Sequence, residues 1–229
     1  LTLRYKLNWD FNETTDINFI ISKVDMDDPA DIWTIDGSLN TLSDRPGMDS
    51  QETNSYGIKI TKNFINFDLQ SFTSSTKTDV IFSYDADWGN PDSHFPYIYD
   101  YFSETLRKRD TFSQEIRILS KNTDFSQKKP FEWVFGMDFS ELEETNVIRD
   151  DGIYGDPSDP YGPYASESVI SRNYKAENFS LFGNIDYFLT KNYKLAIGLR
   201  WENWDSKYND SNQESFNPSD NMNGGKISL

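Results

Sequence analysis

Eight stretches of this chain alternate apolar and polar residues with a period of two, and an extended backbone so patterned carries its apolar side chains on one face. In the first stretch Leu1, Leu3, Tyr5, Leu7, Trp9 and Phe11 alternate with Thr2, Arg4, Lys6, Asn8 and Asp10. Ile17, Phe19 and Ile21 form a second stretch, and Tyr56, Ile58 and Ile60 a third. A fourth runs over residues 65–84, where the apolar phase passes from Ile65, Phe67 and Leu69 to Val80, Phe82 and Tyr84. That change of parity predicts a bulge or a break between Leu69 and Val80. Four further stretches cover residues 112–118, 131–139, 179–187 and 193–201, and a ninth strand is expected to start at Lys226.

The connections alternate as the strands do. Short reversals are expected at residues 12–15, 62–64, 122–130 and 190–192, and long loops over about 26–53, 87–106, 146–172 and 205–225. Short turns on one side and long loops on the other are the build of an antiparallel, up-and-down transmembrane β-barrel. No stretch reaches the 18 apolar residues that a transmembrane helix requires, so only strands could cross a bilayer. A mean hydropathy of -0.73 is compatible with that, because a barrel strand gives lipid only every second residue.

The net charge of -16 argues against a nucleic-acid partner, since phosphate binding needs clustered Lys and Arg and here they are scattered. The acids gather in the expected long loops, as Asp25, Asp27, Asp28, Asp31 and Asp36, then Asp85, Asp87, Asp92 and Asp100, then Asp150, Asp151, Asp156 and Asp159. Such a rim is a solvated, self-repelling surface or a site for a cationic or metal-bearing ligand. Without cysteine there is no disulfide scaffold, thiol nucleophile or zinc-thiolate site. The single histidine, His94, has no second histidine for a metal site or a triad and is expected to be an exposed loop residue. Asp85-Ala86-Asp87 and Asp156-Pro157-Ser158-Asp159 lack the full calcium-loop pattern. Catalytic residues, a metal site and a cofactor are therefore not expected.

Aromatic residues are dense in two of the loops. Trp88, Phe95, Tyr97, Tyr99 and Tyr101 crowd one, and Tyr154, Tyr161 and Tyr164 the other. Flat rings with polar tips suit stacking on sugar-like or catecholate-like ligands, and equally suit packing of the loops on each other. Trp88, Tyr97, Tyr99, Tyr101, Tyr154, Tyr161 and Tyr164 are the candidate ligand-binding set. Trp9, Phe11, Trp201 and Trp204, near strand ends, are assigned to interfacial aromatic belts.

Two segments carry a family likeness. Thr111-Phe112-Ser113-Gln114-Glu115-Ile116-Arg117-Ile118-Leu119-Ser120 resembles the S-Q-E-[IL]-R-[IL]-x-S strand of TonB-dependent outer-membrane receptors. Phe179-Ser180-Leu181-Phe182-Gly183-Asn184-Ile185-Asp186-Tyr187, followed by Leu195-Ala196-Ile197-Gly198-Leu199-Arg200-Trp201, is similar to that family's F-G-x-x-x-Y and G-[LV]-R-[YFW] hairpin. The likeness covers the second half by motif and the first half by pattern. It implies an arc of a 22-stranded barrel in the cell outer membrane of a Gram-negative bacterium. The function it implies is import of an iron-siderophore, cobalamin or an oligosaccharide, with no catalysis. The lipid bilayer, the small-molecule ligand and the TonB complex would be the partners, the last through an N-terminal region that these residues do not include. Leu1 already lies in a strand and residues 226–229 read as the start of another, so the chain is expected to be one domain's worth of a longer barrel, with plug and both barrel ends outside it.

Parity then assigns the faces. Leu3, Tyr5, Leu7, Phe135, Leu195, Ile197 and Leu199 are expected to meet lipid, and Arg4, Lys6, Glu115, Arg117, Arg200 and Glu202 the lumen. Two other architectures accommodate the same strands. A self-closed eight-stranded barrel, serving as adhesin or passive pore, would pair strand 1 with strand 8. A soluble β-sandwich or lipocalin-like binding module would turn the apolar faces inward.

Overall fold

A computed structural model describes residues 1–31, 33–121, 131–190 and 193–229. Ten strands form among them: β1 (Thr2–Asn12), β2 (Thr15–Pro29), β3 (Met48–Asn63), β4 (Phe67–Asp85), β5 (Ile98–Ser120), β6 (Phe131–Gly155), β7 (Tyr164–Phe188), β8 (Lys194–Asp210), β9 (Ser215–Phe216) and β10 (Ser219–Ser228). They make one antiparallel sheet in the order β1-β2-β3-β4-β5-β6-β7-β8-β10, with β9 beside β8. Every neighbour but the last follows in sequence, the up-and-down connectivity expected of the alternating pattern.

A single layer has no second sheet to pack on, and this shows in the burial. Ala30 is the only buried apolar residue among the described ones, while Leu7, Phe135, Ile197 and Leu199 are each more than a third exposed. The β-sandwich reading, which needs two facing sheets, finds no support in this sheet. Nor does the small closed barrel, because β1 pairs with β2 alone and β8 pairs with β7, β9 and β10.

The structure corrects the expected loops. The segments 26–53, 87–106, 146–172 and 205–225 shrink to connections at 30–47, 86–97, 156–163 and 211–214, because the strands run on past the end of the apolar alternation. Backbone pairing continues there without strict apolar alternation, so side-chain parity no longer marks the strand. The same reason removes the expected bulge. Pairing of β4 is unbroken with β3 from Asp68 to Ser83 and with β5 from Phe67 to Asp85, and the parity of Val80, Phe82 and Tyr84 simply differs from that of Leu69 on a regularly paired strand. β10 likewise starts at Ser219 rather than at Lys226. Among the described residues one register shift is present, between Asp10 and Asn12 on β1. The reversals at 12–15 and 62–64 become tight turns, the second displaced to 64–66, whereas residues 122–130 and 191–192 lie outside the described residues.

Because register fixes which side chains share a face, the two faces can be followed across the sheet. The row Leu7, Phe19, Ile58, Thr73, Gln114, Phe139, Phe179, Asn203 lies on one face. Leu3, Tyr5, Phe135, Leu195, Ile197 and Leu199 have the same parity. Trp9 and Phe11 meet edge to face at 5.2 Å on that side, and Trp201 meets Phe179 at 6.1 Å, as interfacial aromatics would. Trp204 departs from the expected belt: it pairs with Asn178 on the opposite, polar face.

Candidate functional site

The polar face is built as alternating charge. The row Gln70, Arg117, Gly136, Phe182, Arg200 lies beside the row Phe72, Glu115, Asp138, Ser180, Glu202. Cations thus stand one pleat from carboxylates: Arg117 is 3.3 Å from Glu115, and Arg200 is 3.1 Å from Asp138 and 2.7 Å from Glu202. Arg117 also donates from Nε to Gln70 at 3.1 Å. Rings fill the gaps, since the Arg117 guanidinium sits 4.5 Å and the Lys59 ammonium 5.1 Å from the Phe72 ring centre. Flat guanidinium and ring surfaces stack favourably in this way. Arg4 and Lys6 share the face on the exposed edge strand β1. The six charged residues expected to share a face therefore do so. Small side chains between these groups, Gly57, Ser74, Ser113 and Ser140, leave a depression of about 740 Å³.

At the far end from the turns, the register gathers part of the aromatic set. Tyr99, Tyr154 and Tyr164 form one row across β5, β6 and β7 on the polar face. Tyr101 stands two residues below Tyr99, with ring centres 4.9 Å apart, and Tyr154 meets Tyr99 edge to face at 6.4 Å. The Tyr101 ring lies flat on Gly152, where any added Cβ would come within 2.1 Å of it. Tyr164 donates its hydroxyl to Asp159 at 2.8 Å. The other three members are elsewhere. Trp88 takes φ 61 and stacks on Trp33 at 5.6 Å, while Tyr97 and Tyr161 make no ring contact with the row.

His94 is not the exposed residue expected. Its side chain is 16% exposed, tilted against Tyr99 at 5.1 Å, and its Nε2 is 3.5 Å from the buried Asp87 carboxylate. Asp87 in turn accepts the backbone N–H of Gly89 at 2.9 Å and of Tyr101 at 2.8 Å, which folds residues 86–97 onto the tyrosine row. Asp85 and Asp87 are buried in this way as parts of the loop's framework. Among the described residues no three of His, Asp or Glu are placed to hold a metal ion.

Loop 30–47 completes the crest from the opposite face. Arg45 reaches across β4 to Asp151 with bonds of 2.7 and 3.2 Å, to Asp100 at 3.2 Å, and over the Phe102 ring at 4.6 Å. Hydrogen bonding to Asp151 holds the guanidinium pKa above its usual value. Beside it, burial and the charges of Asp100, Asp85 and Asp87 push the Asp44 carboxyl up. Gly47 passes so close to the end of β4 that an added Cβ would come within 2.2 Å of the Ser83 carbonyl oxygen. Replacing Arg45 by methionine keeps most of the stem but removes these bonds. Hydrogen exchange of the Gly47 and Met48 amides should then accelerate while that of β1 and β2 near the turn stays unchanged. Equal protection in the variant would mean that other contacts hold the loop.

Sequence reasoning thus found the crest tyrosines but missed Trp33, Arg45 and His94 as members of the crest. Only Trp33 had a signal, as a large aromatic in an otherwise polar segment; the partners of Arg45 lie 55 and 106 residues away.

The family model for "TonB dependent receptor-like, beta-barrel" matches residues 2–228. A comparison with curated proteins gives no match. Among solved structures, the ferric yersiniabactin uptake receptor FyuA from Yersinia pestis superposes with a TM-score of 0.62 at 13% identity, over 99% of this chain and 33% of its own. The siderophore receptor PiuA from Acinetobacter baumannii gives 0.62 at 14% identity, over 99% of this chain and 38% of its own. The copper transporter OprC gives 0.62 at 15% identity, over 99% of this chain and 33% of its own. The chain spans about a third of the length of each, and at these identities the likeness establishes the fold.

Proposed function

The chain belongs to the TonB-dependent receptor-like β-barrel family, a family of outer-membrane proteins, and from that premise we propose that it forms part of the barrel of an active-transport receptor for a scarce nutrient. Iron carried by a siderophore is the substrate class favoured, because a row of tyrosines stands at the crest of the charged face and offers rigid aromatic contact to a chelate's organic shell. Arg4, Lys6, Glu115, Arg117, Arg200 and Glu202 line the lumen in this reading. There they hold a plug through ion pairs, or pass a polar solute along a surface of alternating charge. The apolar face meets lipid, in line with its exposed Leu7, Phe135, Ile197 and Leu199. The TonB complex drives release through a region outside these residues.

Uptake by cells lacking the full-length gene tests the proposal. Restoring the gene should restore accumulation of at least one radiolabelled ferric siderophore, and loss of TonB should abolish it. Accumulation independent of TonB would identify a passive pore, and import of cobalamin or an oligosaccharide alone would move the substrate class.

A further inference from the structure

The pairing of β4 with β5 stops at Asp85 opposite Phe102, so among the described residues Tyr99 and Tyr101 have β6 on one side and no strand on the other. Residues 86–97 fill that side. A residue in an antiparallel pair turns its N–H and C=O toward the same neighbour. Tyr101 accepts the Ala86 N–H at 2.8 Å and gives its own N–H to the Asp87 carboxylate at 2.8 Å, a side chain standing where the next β4 carbonyl would be. The ring of His94 lies 5.1 Å from that of Tyr99, whose other ring neighbours are Tyr101 at 4.9 Å and Tyr154 at 6.4 Å. The imidazole thus takes the part of a cross-strand neighbour, the kind of contact that orients side chains in a sheet.

The segment is built to hold this pair in place. Asp87 Oδ1 accepts the Gly89 N–H at 2.9 Å and lies 3.5 Å from His94 Nε2, and the two side chains are 1% and 16% exposed. The imidazole lies against Gly89, where an added Cβ would come within 2.8 Å of Nε2. Between Asp87 and Gly89, Trp88 has φ 61, a left-handed conformation that costs a non-glycine residue free energy and persists where surrounding contacts over-determine it. Those contacts are present. Asn90 Oδ1 accepts the N–H groups of Asp92 and Ser93 at 3.0 and 3.1 Å. From loop 30–47, the Asp44 N–H donates to the Gly89 carbonyl and the Leu42 carbonyl accepts from Asn90 Nδ2, both at 3.1 Å.

We propose that Asp87 and His94 are positioning residues for ligand capture, Asp87 by fixing the backbone of Tyr101 and seating the imidazole, His94 by holding the Tyr99 ring in the orientation that meets a ligand. The proposal rests on the reading of the tyrosine row as the capture surface. A ring already held in one rotamer loses less freedom when a ligand orders it, so the two residues raise affinity without touching the ligand. Their burial fits that division of labour: Tyr99 is 42% exposed and Tyr154 38%, whereas Asp87 is enclosed.

Two readouts on the full-length receptor test this. Fluorine NMR of 3-fluorotyrosine in place of Tyr99 reads the ring without any ligand, and affinity is measured with the ferric siderophore that restores uptake. His94→Ala should broaden or split the fluorine signal and lower affinity about fivefold, the order of cost for ordering one side chain on binding. His94→Phe, which keeps a ring beside Tyr99, should leave the signal single and the affinity within about twofold. In a Tyr99→Ala receptor, His94→Ala should change affinity by less than about 1.5-fold, because the ring it supports is gone. Asp87→Ala should speed hydrogen exchange of the Tyr101 amide while the amides of β5 below Arg109 keep their protection, which shows that the barrel is folded. An unchanged fluorine signal in His94→Ala would remove His94 as a support, and additive losses from His94→Ala and Tyr99→Ala would make it a ligand contact in its own right; either overturns the proposal. Undiminished affinity in Tyr99→Ala would instead overturn the assignment of capture to the tyrosine row beneath it.

Discussion

Placing arginine at Ile197 should cost the barrel about 2–4 kcal/mol in vesicles, the penalty for a cation on the lipid face near the bilayer midplane. Ile197 stands between Ile185 and Ile227 in one row of the apolar face, half-exposed with no layer over it, so under the proposed orientation lipid would be its apolar partner beyond its neighbours. The same substitution at Asn203, the first polar outward position on β8, should cost about 0–1 kcal/mol because there the guanidinium reaches headgroups and water. Reversible refolding of the full-length protein into vesicles, followed by denaturant titration, measures both. Equal costs would show that Ile197 does not face hydrocarbon, since a merely crowded position would not depend on depth.

Removing the tyrosine row should have the larger effect on function. With Tyr99, Tyr101 and Tyr154 changed together to alanine, the receptor should still fold, because all three lie above the apolar band and the pairing of β5 with β6 is carried by backbone. Ligand affinity should fall by tenfold or more, as expected when a cluster of aromatic anchors is truncated. Tyr161→Ala, at an 85% exposed position without a ring partner, should change affinity less than twofold. Binding measured on purified receptor separates this from defects in energised transport. An unaltered affinity in the triple variant would assign capture to another part of the receptor and leave these rings a structural role.

Legibility in the sequence follows the solvent. Wherever one face is apolar, parity alone gives the strand and its orientation, as in Leu1 to Phe11 or Phe131 to Phe139. Farther up, strict apolar alternation ends, so the upper parts of β5, β6 and β7 read as loops although they are paired throughout. The tyrosines were visible as aromatic density, but which of them meet depends on register. Tyr99 and Tyr154 are 55 positions apart and come together only because Ile98 pairs with Gly155. Trp88 is drawn away by Trp33, a contact that no local pattern encodes.

The unbroken register from turn to crest also governs how such a hairpin can lengthen. Insert two residues opposite two at the tip joining β6 and β7, and the crest rises by about 7 Å with every side chain below it still on its original face. Insert one residue on a single strand low in the band, and every position beyond it changes sides unless a bulge absorbs the slip. Length at the open end is therefore a nearly free variable for divergence, while the same change near the turns is filtered out. Relatives of this chain should differ in length far more often at the crest than near the turns.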